Sequence, residues 1–407
     1  IQLGRNGELT ANGDGGGEIT LVANQGLMTI DGFVQTNGGV GRGGTITLTN
    51  VNDIQVNSAV IQANGQTDGG QITIVSTGSN SNFQSALIQT NGGVGRGGSI
   101  AISAANQTIL QDTTVEANGL NQGGTIKIGN DAQHGTLPFS IYASIDANSR
   151  ISTQGSIGGF IETSGHVLNL LGTINAGRGG MWLLDPTNVT ISSSVSTGGA
   201  TATSSNSAAN LTSAQSQATT SNFNVTDIQN AINAGTSVTI TVSGTITQSA
   251  ALTFNITGAN LKPVLTLNNT SGSMQSITMI AMTDNSTGSG SGVSLKALSS
   301  GGAIAANGAI NLKGYILLDN SCLGCGTTVT PTTAAVNTAA IKITAALTAG
   351  SQAGSTGVTI NAVANGTGVG FTQGANAISS SAGGVTITVN GQTGVGYSST
   401  GNITATG

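Results

Sequence analysis

A parallel β-helix with a triangular coil of about 27 residues is the fold class this sequence predicts. Three observations predict it. A Gly-Gly pair recurs at Gly16-Gly17, Gly43-Gly44, Gly69-Gly70, Gly97-Gly98 and Gly123-Gly124, at near-constant intervals. Each pair opens a strand with two alternating apolar residues: Ile19/Leu21, Ile46/Leu48, Ile72/Ile74, Ile100/Ile102 and Ile126/Ile128. The composition is almost free of charge, with 6% charged residues and 64 glycines in 407 positions.

Two further frames complete the coil. Leu9, Val34, Ile61, Ile88 and Val115 each precede a Thr/Ala-Asn-Gly stop, the last three intervals being equal. A third strand shows as Met28/Ile30 and Ile54/Val56. Three short strands and three turns suit a triangular coil, given a rise of about 3.3 Å per strand residue. Period-2 alternation puts the apolar side chains inside. A single coil cannot bury its own face, so stability comes from stacking on neighbours.

The regular coils occupy residues 1–128. Over 129–191 the period drifts. Residues 129–142, with Pro138 and Phe139, read as an insertion. The Gly-Gly landmarks resume at Gly158-Gly159 and Gly179-Gly180, after one step longer than the repeat and one shorter. Residues 192–235 read as a Ser/Thr-rich surface excursion followed by a short helix at 225–234, with Thr226 as N-cap and Gly235 as the stop. Less regular coils fill 236–407, where Val358-Thr-Ile and Val385-Thr-Ile return to the earlier spacing. Residue 1 is Ile and no charged-then-apolar leader follows it, so the expectation is a processed or excerpted chain.

Composition also excludes classes. Ten Lys+Arg spread over the chain make no basic stripe, which argues against nucleic acid as a partner. No apolar run reaches the roughly 18 residues of a membrane-spanning helix. There is no Gly-X-Y period, so the chain is not collagen.

Residues Gly158 to Pro186 carry Gly158-Gly159, Glu162-Thr163-Ser164-Gly165 and Gly179-Gly180-Met181-Trp182-Leu183-Leu184-Asp185-Pro186. This segment resembles the signature of two-partner-secretion exoproteins, the filamentous-haemagglutinin-like adhesins of Gram-negative bacteria. The stretch at 226–235 is similar to one these proteins carry after that signature. The resemblance implies a right-handed β-helix, secreted or held on the outer cell surface, that serves adhesion or biofilm formation. It implies an outer-membrane secretion pore as partner of the precursor, although the family's amino-terminal secretion domain is not visible here. A glycan or protein on a host or neighbouring cell is one expected partner. Both chain ends read as coil, and such open strand edges make further copies of the chain, stacked end to end, the other. A polysaccharide-degrading β-helix enzyme and the stalk of a contact-dependent toxin are the alternatives.

The candidate site residues mostly read as structure. Asn12, Asn37, Asn64, Asn91 and Asn118 form a column that predicts an amide ladder, in turns where Asn tolerates the left-handed conformation. Arg42, Asp68 and Arg96 align one coil apart and predict an external charge ladder of alternating sign. Gly-Gly-Val-Gly-Arg-Gly-Gly occurs twice, at 38–44 and 92–98, but lacks the Lys-Ser/Thr ending and the following helix of a phosphate loop. Trp182 falls at an inward position and reads as core.

Cys322 and Cys325 read as a local disulfide; one such pair is half of a zinc site, and no second pair exists. Asp14 and Asp68 are too isolated for calcium. The outward position after each Gly-Gly pair reads Glu18, Thr45, Gln71, Ser99 and Thr125, which is no catalytic cluster. Asp112 and Glu116 are the nearest approach to a carboxylate pair. The sequence thus predicts no enzyme, no cofactor and no metal.

Overall fold

The computed structural model describes residues 1–130, 136–194, 197–198, 220–250, 252–254, 263–269, 277–279, 282–284, 292–296, 298–300, 304–306, 310–316, 339–343, 346–349, 358–364, 369–381, 383–391 and 397–405. Those residues form a nearly all-β solenoid of stacked parallel strands with one short helix. They divide into two compact units. One comprises Ile1–Asn188, Ser194–Asn224 and Ala234–Val238; the other comprises Val189–Ser193, Val225–Asn233 and Thr239–Gly407.

In the first unit each coil gives one strand to each of three parallel faces, and each face holds seven strands of this unit. The first face runs from Gln2–Leu3 through Met28–Ile30, Ile54–Asn57 and onward to Val167–Leu170. The second runs from Glu8–Thr10 to Thr173–Asn175, and the third from Glu18–Ala23 to Met181–Asp185. On the third face Ile19, Ile46, Ile72, Ile100, Ile126, Ile161 and Trp182 lie in one register column. From Ile46 to Ile161 that column is fully buried. Each such side chain contributes roughly 1.5–3 kcal/mol relative to exposure, and only because a coil lies on either side of it.

The Gly-Gly landmark has a steric cause. A Cβ on Gly44 would strike the carbonyl oxygen of Gly17, and one on Gly70 or Gly98 would strike that of the matching Gly one coil earlier. A Cβ on the first Gly of each pair would strike the turn of the following coil: Ala63 for Gly43, Thr90 for Gly69 and Ala117 for Gly97. Backbone lies directly on backbone at this corner. The second Gly also closes its own turn, as Gly44 N–H donates to Thr36 O at 2.7 Å and Gly98 N–H to Thr90 O at 2.6 Å.

The drift in period is real and local. Thr125 pairs with Phe160 and Phe160 with Met181, one long step and one short, while the strands stay in register. The longer coil takes up the insertion. Ser103 Oγ donates to the Pro138 carbonyl, and Ser140 Oγ donates to Ala104 O at 2.8 Å, so its described part is tied to the coil before it.

The second unit repeats the plan. One of its faces holds Leu252–Phe254, Met282–Asp284, Ile304–Ala306, Leu347–Ala349, Ile378–Ser380 and Ile403–Ala405, all parallel. Val358–Ala364 pairs with Val385–Gly391 along its whole length. Helix α1 spans Val225–Asn233 and buries Val225, Ile228 and Ile232. It begins one residue before the expected cap. Asn224 therefore stands at the N-cap position and Thr226 falls inside the first turn; Asn and Thr are both competent caps, so residue type does not separate them. Of the Ser/Thr-rich excursion, Thr197–Gly198 and Ser221–Asn224 form a short antiparallel pair.

Candidate functional site

The outer corner between the second and third faces carries most of the residues singled out above. Each Asn of the column there hands its side-chain oxygen to the next coil. Asn12 Oδ1 accepts the backbone N–H of Asn37 at 2.6 Å, Asn37 Oδ1 that of Asn64 at 2.9 Å, Asn64 Oδ1 that of Asn91 at 2.7 Å, and Asn91 Oδ1 that of Asn118 at 2.8 Å. Asn118 Oδ1 continues the series to Gln154 N at 2.7 Å.

Two details of the expectation change. The rungs are amide-to-backbone rather than amide-to-amide. The left-handed backbone positions are also elsewhere: among the described non-glycine residues they are Ser58 (φ 52°), Ser85 (φ 53°) and Asp112 (φ 48°), a column of its own at the corner between the first and second faces. The Asn residues are here for their acceptor oxygen, not for backbone tolerance.

A second ladder lies beyond what the sequence reading identifies. Gln35 Nε2 donates to Gln62 Oε1 at 3.0 Å, Gln62 Nε2 to Gln89 Oε1 at 2.6 Å, and Gln89 Nε2 to Glu116 Oε2 at 2.8 Å. Asn91 Nδ2 also reaches Glu116 Oε2, at 3.2 Å, and joins the two ladders. The signal is present, since Gln35, Gln62 and Gln89 recur at exact coil intervals, but outward glutamines read as generic polar surface. Glu116 is thus the end of a ladder. Asp112 accepts the Ser85 hydroxyl at 2.9 Å, and its own N–H donates to Asp146 Oδ1 at 3.0 Å.

The charge column finds main-chain partners. Asp68 Oδ1 accepts the backbone N–H of Arg96 at 2.8 Å, and Arg42 Nε donates to the Gly69 carbonyl at 3.5 Å. The Asp68 and Arg42 side chains engage main chain, and Arg96 takes part through its backbone N–H. Glycine leaves main-chain groups open at this corner, and a backbone partner at fixed height is reached with less side-chain ordering than a second mobile side chain. Beside these residues lies an open groove of about 700 Å³, lined in part by Asn91, Asn118, Leu120, Gln154 and Ser156. Val40, Val94, Leu120 and Ile157 project from the same corner with more than half of their surface exposed.

The segment Gly158 to Pro186 forms a second, more enclosed cluster. Trp182 is 5% exposed, and its Nε1 donates to Thr163 Oγ1 at 3.1 Å, so the ring is core with its one polar atom satisfied. Glu162 is fully buried on the opposite side of its strand from Ile161 and accepts the Ser164 hydroxyl at 2.8 Å. Ser164 stands directly across from Asp185. Burial pushes the Asp185 carboxyl up to about 6; the charge of Glu162 adds to the shift and a hydrogen bond with Asn130 opposes it. Burial also raises the Tyr142 hydroxyl above its ordinary value, against hydrogen bonds with Ser144 and Asn169.

His166 packs on Phe139 with ring centroids 4.5 Å apart, and its Nδ1 lies 3.1 Å from Thr187 Oγ1. Cys322 and Cys325 lie outside the described residues. Among the described residues no group of three His, Cys, Asp or Glu is placed to hold a metal ion, and no helix is long and apolar enough to cross a membrane.

Comparison with protein families, curated proteins and solved structures returns no match for this chain. The β-solenoid fold is compatible with a structural or adhesin-like protein.

Proposed function

We propose that this chain is a non-enzymatic structural β-solenoid of the filamentous-haemagglutinin-like type, secreted or held on the surface of a Gram-negative cell, where it acts as shaft or fibre in adhesion and biofilm formation. The observation that carries the reading is the use made of the outer polar side chains. A solenoid enzyme collects carboxylates and basic groups on one outer face to do acid–base chemistry. Here the pair closest in sequence, Asp112 and Glu116, is engaged with Ser85, Gln89 and Asn91 as rungs between coils. The interacting carboxylates Glu162 and Asp185 are buried and half-buried rather than open on the outer face. The Asn and Gln columns fix stacking register in the same way. The signature from Gly158 to Pro186 supports the family assignment, and the low charge supports close association of chains.

The test is made in a bacterium that produces the precursor. Deleting its gene should remove the chain from the cell surface and culture medium and lower attachment and biofilm mass, with both restored on complementation. A chain found only inside the cell would contradict the reading. So would cleavage of a polysaccharide panel by the purified chain that is lost on E116Q.

A further inference from the structure

Every residue of the Asn column is followed by glycine: Asn12-Gly13, Asn37-Gly38, Asn64-Gly65, Asn91-Gly92 and Asn118-Gly119. In a free chain this dipeptide is open to attack on itself, because glycine has no Cβ to obstruct the approach of its nitrogen to the preceding side chain. The glycine nitrogen gives up its proton and bonds to the Asn Cγ. The Cγ–Nδ2 bond breaks and ammonia leaves, carrying that proton. Water then opens the cyclic imide to Asp or to isoaspartate. The net change is water in and ammonia out, with no further reactant.

Stacking engages both reacting groups. Gly38 N–H donates to Asn64 O at 2.8 Å, Gly65 N–H to Asn91 O at 2.9 Å, and Gly92 N–H to Asn118 O at 2.8 Å. The carbonyl ends of the same Asn side chains are engaged in the same direction: Asn37 Oδ1 takes Asn64 N–H, Asn64 Oδ1 takes Asn91 N–H, and Asn91 Oδ1 takes Asn118 N–H. The N–H of the nucleophile and the carbonyl oxygen of the electrophile are both held by the next coil. Closing the imide ring requires both bonds to break, which means separating the two coils locally.

We infer that the Asn-Gly column is a latent self-modification site, silent while the coils are stacked and deamidating wherever they part. The consequence is directional. Deamidation puts carboxylates into a column whose members stand about one strand spacing, 4.8 Å, apart. Isoaspartate is the more disruptive product: it lengthens the main chain at the corner and withdraws the acceptor from the next coil. Coils that part and form isoaspartate do not stack again, so an opening that begins as reversible becomes permanent.

The chain is incubated at mildly alkaline pH, folded and in denaturant, and deamidation at Asn37, Asn64 and Asn91 is followed by peptide mass spectrometry. In the folded chain the rate should fall at least about tenfold, the factor given by only 1.4 kcal/mol of local opening. Ile88→Ala, which loosens the coil carrying Asn91, should raise the rate at Asn91 in the folded chain; Ile88→Val should do so more weakly if the alanine variant does not fold. Chains aged in denaturant should refold with a yield that falls in step with their isoaspartate content. Equal rates in the folded and denatured chain would overturn the inference, as would full refolding of chains that carry isoaspartate.

Discussion

Asn64 Oδ1 accepts the backbone N–H of Asn91 at 2.7 Å, one coil further along the stack. A side chain here completes the hydrogen bonding of the neighbouring coil's main chain at a corner where no strand does so. Removing it leaves a half-buried donor without its acceptor. N64A is therefore expected to cost about 1–3 kcal/mol, while N64D, which keeps the oxygen, stays close to the wild type. Calorimetric melting of the two variants distinguishes them; coincident curves would mean the ladder contributes no stability.

The glycine corner makes a sharper contrast. A Cβ on Gly44 would meet the Gly17 carbonyl oxygen and the backbone around it, whereas one on Gly15 would have only Arg42 O, at 3.9 Å. G44A should destabilise by several kcal/mol or prevent folding, since backbone on either side has nowhere to go. G15A should stay within about 0.5 kcal/mol. Urea melts of the pair measure this directly, and equal tolerance would refute the backbone-on-backbone account of the repeat.

Thr90 is a buried residue whose hydroxyl has no partner. Ala63 and Ala117 hold the same register position one coil to either side. T90V keeps the shape and removes the unsatisfied oxygen, so it should raise stability by about 1 kcal/mol. A lower melting temperature for T90V would show that the hydroxyl has a partner in solution.

Asp185 gives the fold a pH dependence of unusual sign. Its folded carboxyl titrates near 6, against about 3.9 in an unfolded chain. The folded state holds the proton more tightly, so this contribution is full below the unfolded value and is lost as pH rises through about 6. The maximum effect is on the order of 3 kcal/mol for a shift of about two units. The melting temperature should rise as pH is lowered from about 7 to about 5, and D185N should flatten that segment of the profile. A wild-type profile that falls over this range, or one that D185N leaves unchanged, would contradict the assignment.

These residues also show how much of the fold is legible in the sequence. The Gly-Gly landmarks and the column from Ile19 to Ile126 are visible because close backbone approach and burial each demand one residue type in every coil. The first face is fainter. Its positions Ser81 and Thr108 are fully buried but polar, held by Ser103 O at 3.2 Å and Ser140 Oγ at 2.9 Å, so the apolar alternation fails there. Arg42, Asp68 and Arg96 align as their spacing predicts but meet different partners, because alignment in a column says which residues stack and not which atoms meet. The Gln35–Glu116 ladder escapes a reading by residue type because an outward glutamine has no signature apart from its spacing. Burial of Glu162, an outward residue on its strand, depends on what covers it, and no periodicity encodes that.

In the function proposed above, the chain is a structural solenoid whose surface groups serve stacking. Negative-stain electron microscopy of the material released from cells or retained on them shows whether it behaves as one. Uniform fibres, or rods tethered to the cell, are the predicted result. Freely dispersed compact particles with no long axis would contradict it.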